Sequence, residues 1–331
     1  MRHELKQFNA IDKLSAVLVD GCDPFPQIIE IHPTDICNHT CNFCFHKGKG
    51  YDQKRSKDLL GLKHYESLFH EMSELRIVCL SISGGGEPTI DNRLPNLITS
   101  ANQNSLEVRL VSNGNFIDNE LLGLLCKISE IRFSIDAISD STYSRMRNIP
   151  EGLFYKTIEN LQRVIEIKKS ESLELQIGAT FLIGRLNYFE LVAFCESMVK
   201  IGVDEIIVKH NIFNEREINP ETMDKILDEL EIIRSNIVVR RPIQIVLNNI
   251  KCYTPYFKIA LNPYGDVYSC CLASQPGELN GYKLGNIKDN NLADIWRLSK
   301  DLRHSLIEKG VHCNNCNYTD FLLNKSMLKK Q

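Results

Sequence analysis

Short runs of apolar residues recur along the first two thirds of the chain, separated by segments whose apolar positions repeat about every 3.6 residues. The runs are rich in valine, isoleucine and leucine, as buried parallel strands are. They predict strands at Ile28–Ile31, Val78–Ser83, Val108–Ser112, Ile131–Asp136, Leu175–Ile183 and Glu205–His210. The segments between them predict helices over Leu62–Leu75, Phe154–Ile167, Leu191–Ile201 and Met223–Ile233. This alternation is typical of a parallel sheet covered by helices, either a partial barrel or an open doubly wound sheet.

The pattern changes near residue 236. The segment NIVVRRPIQIVL is strand-like, and Pro242 fits an edge strand or a break within it. Farther on, YFKIALNPYGDVYS predicts a β-hairpin with its turn at Asn262–Asp266, and Asn291–Ser305 predicts a helix. We therefore expect two domains, residues 1–240 and residues 241–331.

The overall charge of the chain is nearly balanced. Its 331 residues include 39 basic and 42 acidic side chains, a net charge of −3. This balance gives no electrostatic reason to expect a nucleic acid partner. No apolar run approaches the roughly 20 residues that span a bilayer, and the N-terminal residues lack the apolar core of a signal peptide. We expect a cytoplasmic protein without a membrane partner.

The twelve cysteines carry the first chemical signal. In a reducing compartment, clustered cysteines indicate metal ligation or catalysis rather than disulfides. Cys37, Cys41 and Cys44 follow the first predicted strand, on the face of a β/α barrel where active sites form. Three thiolates leave one iron of a 4Fe–4S cluster open, whereas structural zinc takes a fourth ligand. That ligand could come from His32, His39 or His46. The scattered cysteines are expected to be small buried side chains: Cys22, Cys79, Cys126 and Cys195.

The spacing Cys37-x-x-x-Cys41-x-Phe43-Cys44 resembles the signature of the radical S-adenosylmethionine (SAM) superfamily. The resemblance implies an α/β fold, a partial (β/α)6 TIM-like barrel followed by a small α+β domain. It also implies a 4Fe–4S cluster held by the three cysteines, with SAM bound to the fourth iron. One electron then cleaves SAM, and the deoxyadenosyl radical abstracts hydrogen from an unactivated C–H bond. The protein supplies positioning, tuning of the potential and exclusion of water.

Further motifs at successive predicted strand ends resemble the same family, over about residues 25–236. Gly84, Gly85, Gly86 and Glu87 resemble the Gly-Gly-Glu motif that approaches the methionine amino group, where glycine lets a backbone come close to a ligand. By the same resemblance, further implied residues of the SAM site are Phe43, Asn113, Ser134, Asp136, Leu182 and Gly184.

The remaining cysteines resemble the twitch extension, a short form of the SPASM domain that holds one auxiliary 4Fe–4S cluster. The implied ligands are Cys252, Cys270, Cys313 and Cys316. Cys271 is an adjacent alternative to Cys270, or a hydrogen donor to a product radical. By spacing alone, four thiolates suit zinc equally well.

Twitch enzymes of this layout include an aminocyclitol dehydrogenase. The resemblance therefore favours a small polar substrate, such as a sugar or cyclitol, with the auxiliary cluster as electron acceptor and a flavodoxin or ferredoxin as electron donor. Lys209 and His210 end the sixth predicted strand and Arg185 follows the fifth, and all three are candidates for holding the substrate and helping to remove a hydroxyl proton. One alternative is dehydration or epimerisation of a similar substrate. A second is a peptide or protein maturase, which is disfavoured because only 36 residues precede Cys37. A third is a zinc-binding protein without catalysis.

Overall fold

The computed structural model describes residues 23–44, 59–210, 218–232, 237–239, 247–274, 282–309 and 311–313, together with Asn324. Within these residues, the strands from the first part of the chain pair side by side, all parallel and in chain order. They are β1 (Ile28–Ile31), β2 (Cys79–Ile82), β3 (Glu107–Ser112), β4 (Glu130–Ser134), β5 (Gln176–Ile183), β6 (Glu205–His210) and β7 (Ile237–Val239). The six predicted β/α strands are confirmed, with small differences at their ends.

Helices follow most of these strands and cover one face of the sheet. They are α1 (Leu62–Glu74), α2 (Leu94–Gln103), α3 (Asn119–Gly123), α4 (Asp140–Arg147), α5 (Leu153–Ser170), α6 (Leu191–Ile201) and α7 (Pro220–Ile232). The four predicted helices correspond to α1, α5, α6 and α7. The sequence of α4, DSTYSRMR, has too few apolar positions to show a helical period. No helix in the described part of the chain is long and apolar enough to cross a membrane.

The C-terminal part of the chain extends the same sheet. β9 (Lys258–Leu261) pairs parallel with β1, and the predicted hairpin continues into β10 (Asp266–Tyr268), which pairs with β11 (Lys283–Asn286). The described sheet therefore runs β11-β10-β9-β1-β2-β3-β4-β5-β6-β7. The fold class is confirmed as an α/β fold with a partial barrel, and the domain boundary expected at residue 240 lies outside the described residues.

Two smaller features complete the C-terminal part. β8 (Leu247–Ile250) and β12 (Val311–Cys313) form a separate antiparallel pair that was not predicted. The predicted C-terminal helix is two helices, α8 (Leu292–Leu298) and α9 (Lys300–Glu308). The buried guanidinium of Arg303 donates to the Trp296 carbonyl and pairs with Asp23, which ties these helices to the segment before β1.

The two faces of the sheet differ in character because alternate strand residues point to opposite sides. On β1, Ile29 and Ile31 are buried against the helices in the main hydrophobic core. The opposite face lines the inside of the partial barrel and is largely polar. Its charged and hydroxyl side chains include Glu30, Arg109, Glu130, Arg132, Thr180, Lys209 and Lys258. The barrel interior therefore suits a polar molecule.

Candidate active site

The loop that carries Cys37, Cys41 and Cys44 is attached to the end of α4. The backbone N–H of Asn42 donates to the Met146 carbonyl at 2.9 Å, and the N–H of Thr40 donates to the Arg147 carbonyl at 3.3 Å. The last carbonyls of a helix have no partner within the helix, so they can accept these bonds. A helix that the sequence did not predict therefore positions the first cysteine cluster.

The glycine loop after β2 packs directly on the cysteine loop. The N–H of Gly86 donates to the Thr34 carbonyl at 2.7 Å, and the N–H of Glu87 donates to the Ile36 carbonyl at 2.8 Å. A Cβ atom on Gly86 would lie 1.9 Å from the Ile36 oxygen, and one on Gly84 would lie 1.9 Å from the Gly86 oxygen. We expect these glycines to allow close approach to a ligand; in the structure Gly86 lets the two loops touch, and Gly84 lets its own loop fold closely.

Glu87 is buried, and its carboxylate joins the ends of β2 and β3. It accepts hydrogen bonds from Ser112 Oγ at 2.8 Å and from the Asn113 N–H at 2.7 Å, and from both the N–H and the hydroxyl of Thr89. Burial raises the pKa of Glu87 despite these bonds. Asn113 in turn donates to Asn38 Oδ1 at 2.8 Å. Glu87 and Asn113 thus hold the loop that carries Cys37.

Arg147 is a buried cation that connects the first cysteine cluster to β4, and sequence analysis missed it. Its guanidinium pairs with Asp136, donates to the Ser134 carbonyl at 2.7 Å and lies 4.0 Å from Cys41 Sγ. It also lies over the ring of Phe43, 5.7 Å from its centroid. No periodic pattern marks this arginine, because its partners come from other elements.

Asp136 closes the end of the fourth strand in a left-handed backbone conformation, with a φ of 66°. Its second carboxylate oxygen accepts the N–H of Leu182 at 2.7 Å. Burial raises the pKa of Asp136, although the charges of Arg147 and Lys209 act in the opposite direction. The carboxylate predicted at the SAM site is therefore occupied by internal partners.

A second residue that sequence analysis missed, Asn187, shapes the end of β5. Its side chain is fully buried, accepts the Gly184 N–H at 2.7 Å and donates to the carbonyls of Asp136 and Leu182 at 2.8 and 2.9 Å. One amide thus holds the predicted SAM-site residues of β4 and β5 together.

The three catalytic candidates lie in different surroundings. Lys209 is opposite Leu182 in the sheet and is partly buried, and its charge reaches Asp136. Arg185 is exposed. The backbone of His210 ends β6 opposite Ile183, but its side chain lies outside the described part. The structure brings the charge of Lys209 toward the buried carboxylate of Asp136 at this end of the barrel.

The second group of cysteines lies around the hairpin and α9. Cys270 begins a short turn in which its Sγ accepts the Ala273 N–H at 3.4 Å. The N–H of Cys252 donates to the Leu306 carbonyl at 3.0 Å, and Cys252 Sγ lies 3.9 Å from the side-chain amide of the buried Asn324. The backbone of Cys313 pairs with β8, and Cys316 lies outside the described residues.

Comparison with known proteins assigns both cysteine regions. Residues 31–185 match the model of the Radical SAM superfamily, and residues 252–317 match that of SPASM, an iron–sulfur cluster-binding domain. The chain is a radical SAM enzyme with a SPASM domain. The expected family is confirmed, and with it the expected cofactors, 4Fe–4S clusters and SAM.

This radical SAM enzyme has relatives of different activities. It is 23% identical over 317 residues to the "tungsten-containing aldehyde ferredoxin oxidoreductase cofactor-modifying protein" of Pyrococcus furiosus, covering 87% of this chain and 86% of the relative. It is 22% identical over 351 residues to Fe-coproporphyrin III synthase of Methanosarcina barkeri, covering 93% and 85%. Its fold resembles Streptococcus suis SuiB bound to the precursor peptide SuiA, with a TM-score of 0.69 at 15% identity over 95% of this chain and 76% of SuiB.

The residues of this radical SAM enzyme fit these cofactors. Each thiolate of a four-iron cluster binds a different iron. Cys37, Cys41 and Cys44 therefore need not meet at one point, and no three His, Cys, Asp or Glu groups in the described residues form a single-ion site. Burial raises the pKa of Cys37 to about 11, and the charges of Cys41 and Cys44 also act to raise it, so the three thiols lie within electrostatic range.

Three buried polar atoms also fit a polar ligand. Thr180 Oγ1, Arg147 Nε and His39 Nδ1 have no hydrogen-bond partner within the described residues. Buried polar groups are normally satisfied, so these three atoms are able to bond a polar ligand bound at this end of the barrel. The other ring nitrogen of His39 is bonded to Asn115 Oδ1, so Nδ1 is the atom of this ring that remains for a ligand.

Proposed function

We propose that this enzyme oxidises a small polar substrate, such as a sugar, a cyclitol or a nucleotide-linked form, by hydrogen abstraction. When bound, the auxiliary cluster would supply an acceptor for the electron that the substrate radical loses, and a flavodoxin or ferredoxin would reduce the SAM-binding cluster. The observation behind the proposal is the polar inner wall of the barrel, where charged side chains lie near the strand ends that hold the first cysteine cluster.

The inner wall supplies groups of complementary chemistry. Glu30 can accept from a hydroxyl or an amine, Thr180 offers an unpartnered hydroxyl, and Lys209 and Lys258 are cations. Toward the other end of the barrel, Arg109 and Arg132 share Glu130 and also pair with Glu107 and Glu205, so both cations are compensated. Lys258 begins β9 and lies toward that same end, so Glu30, Thr180 and Lys209 are the groups that a substrate rich in hydroxyl or amino groups would meet nearer the cysteine loop.

The protein's own residues would divide the work as follows. When bound, SAM and its cluster supply the deoxyadenosyl radical. Lys209 is the best supported candidate for holding the substrate oxygen, because it is partly buried and its charge reaches Asp136. His210 and Arg185 remain candidates for assisting loss of the hydroxyl proton, which makes the substrate radical easier to oxidise. Glu30 joins them as an acceptor on the inner wall.

Two relatives that span most of this chain have names describing work on a cofactor and on an iron porphyrin, which supports a non-peptide substrate. The alternative is a peptide or protein substrate, since SuiB binds the precursor peptide SuiA. The likeness to SuiB concerns the fold, so it does not favour the peptide substrate here.

A deuterium-transfer assay tests the proposal. The anaerobically reconstituted enzyme is expected to hold about eight irons per chain, in two clusters. It is then given SAM, dithionite and either deuterated sugars, cyclitols and nucleotides or deuterated synthetic peptides. We expect deuterium in 5′-deoxyadenosine, and a ketone product, with a member of the first group. Transfer from peptides alone would refute the proposal, and about four irons plus one zinc would refute the auxiliary cluster.

The candidate residues are tested with the substrate so found. Lys209→Met is expected to lower product formation at least tenfold while SAM cleavage without substrate persists, and the exposed Arg185→Met is expected to have a smaller effect. Unchanged product formation after replacing Lys209, His210 and Arg185 together would exclude them from the substrate site.

A further inference from the structure

Lys258 is a cation that the SPASM region contributes to the inside of the barrel. It begins β9 within the matched residues 252–317, opposite Ile28 of β1, and its side chain is 15% exposed. Its Nζ atom lies 3.4 Å from Glu30 Oε2 on the inner wall and 3.7 Å from Cys271 Sγ. One ammonium group therefore contacts both the barrel interior and the auxiliary cysteine pair.

Glu30 is the fixed counter-ion of this lysine. Its carboxylate also accepts Ser83 Oγ at 2.8 Å and lies 3.2 Å from His32 Nε2. Burial acts to raise the pKa of Glu30, but the charge of Lys258 and the hydrogen bonds from His32 and Ser83 act more strongly, so its pKa lies well below its ordinary value. Glu30 therefore carries a full negative charge at neutral pH.

The two adjacent cysteines are held in different ways. Cys270 Sγ accepts a backbone N–H from Ala273, and the Ser274 hydroxyl donates to the Cys271 carbonyl at 2.7 Å. The Cys271 sulfur meets the Lys258 ammonium. The ammonium group of Lys258 therefore contacts Cys271, which is adjacent in sequence to the proposed cluster ligand Cys270. The positive charge lies close to the auxiliary cluster whether Cys270 or Cys271 binds the iron.

We infer that Lys258 is a positioning residue that raises the reduction potential of the auxiliary cluster through Cys271, with Glu30 on the barrel wall as the opposing charge. Net charge and hydrogen bonds to sulfur set the potential of an iron–sulfur cluster. A cation stabilises the reduced, more negative form, and an anion destabilises it. The inference deepens the proposed function, because a higher potential makes this cluster a better acceptor for the electron of the substrate radical.

An electrochemical titration of the holoenzyme tests the inference without any substrate. The reduced clusters are followed by electron paramagnetic resonance at controlled potentials, with and without SAM. SAM changes the signal of the cluster it binds, so the signal that does not respond to SAM reports the auxiliary cluster. The variants are Lys258→Met, Lys258→Arg, Glu30→Gln and the double variant Glu30→Gln/Lys258→Met.

The expected pattern is one of opposite signs. Lys258→Met should lower the reduction potential of the auxiliary cluster by about 59 mV, which for one electron is about a tenfold change in the ratio of reduced to oxidised cluster. Glu30→Gln should raise this reduction potential. Lys258→Arg should stay near the wild-type potential because the positive charge is retained, and the double variant should do so because one positive and one negative charge are both removed. The control is Lys168→Met, which removes the cation of a partly exposed ion pair with Asp204 on the helix-covered side of the sheet. It should leave the reduction potential of the auxiliary cluster unchanged.

Shifts of the same sign for Lys258→Met and Glu30→Gln, or no shift for either, would overturn the inference. If Lys258→Met does not retain the auxiliary cluster, the test rests on Glu30→Gln. A raised reduction potential of the auxiliary cluster in Glu30→Gln supports the inference, and an unchanged potential refutes it. Because no substrate is present, failure of the substrate assay leaves these outcomes unaffected, and the two proposals can fail separately.

Discussion

Replacing Arg147 by methionine removes the buried cation between Asp136 and the first cysteine loop while keeping a similar side-chain volume. The side chains of Arg147 and Asp136 are only 4% and 3% exposed. Breaking a buried ion pair by removing one partner costs about 3–5 kcal/mol, because the remaining charge is left without compensation. We expect the free energy of unfolding of Arg147→Met to fall by this amount.

The assay is anaerobic urea unfolding of the full chain, with Arg145→Met as matched control. Arg145 lies two residues earlier on α4 and is exposed, so its replacement should change the free energy of unfolding by no more than about 0.5 kcal/mol. The double variant Asp136→Asn/Arg147→Met removes both charges. It should lose clearly less stability than the sum of the two single variants, as coupled neighbours do.

The same change should weaken the first cluster. Thr40 and Asn42 donate to the carbonyls at the end of α4, so loosening this end loosens the cysteine loop. We expect reconstituted Arg147→Met to lose up to about four irons per chain. Equal stability of Arg147→Met and Arg145→Met, or strict additivity in the double variant, would show that the Arg147–Asp136 pair does not hold this site.

Three further predictions concern other contacts. Gly86→Ala places a Cβ 1.9 Å from a carbonyl oxygen, so its free energy of unfolding should fall by about 1–3 kcal/mol and the first cluster should lose iron. The control is Gly123→Ala, whose added Cβ would meet nothing within 4 Å. Equal losses in the two variants would contradict the prediction. Asn324→Ala removes a donor to Cys252 Sγ and should reduce iron toward about four per chain, whereas full iron would exclude this role. Burial acts to raise the pKa of Asp266, but Lys283 and two asparagines lower it overall. Its stabilisation is therefore present above its ordinary pKa of 3.8 and is lost as the pH falls. The stability advantage over Asp266→Asn, measured by urea unfolding, should be constant above about pH 5 and shrink as the pH falls below it, and a difference that stays constant in acid would refute this.

The sequence by itself determined the strand and helix repeat and the location of the cofactor chemistry. Buried parallel strands need continuous apolar runs, and those runs predicted β1 to β6. The cysteine loop and the glycine loop are contiguous motifs, so their resemblance to the family was visible in the sequence. The hairpin around Asn262–Asp266 was predictable for the same reason, because a turn is a local structure.

Only the tertiary structure decided which polar side chains meet. Arg147 pairs with Asp136, Glu87 with Ser112, and Lys258 with Glu30, although each pair joins different elements of the chain. The helix α4 shows no apolar period and is held by its contacts with the cysteine loop, so it was not predictable. A local pattern records the burial and backbone preference of its own residues. Partners brought together by folding leave no mark at either position, which is why the charges inside the barrel became visible only in three dimensions.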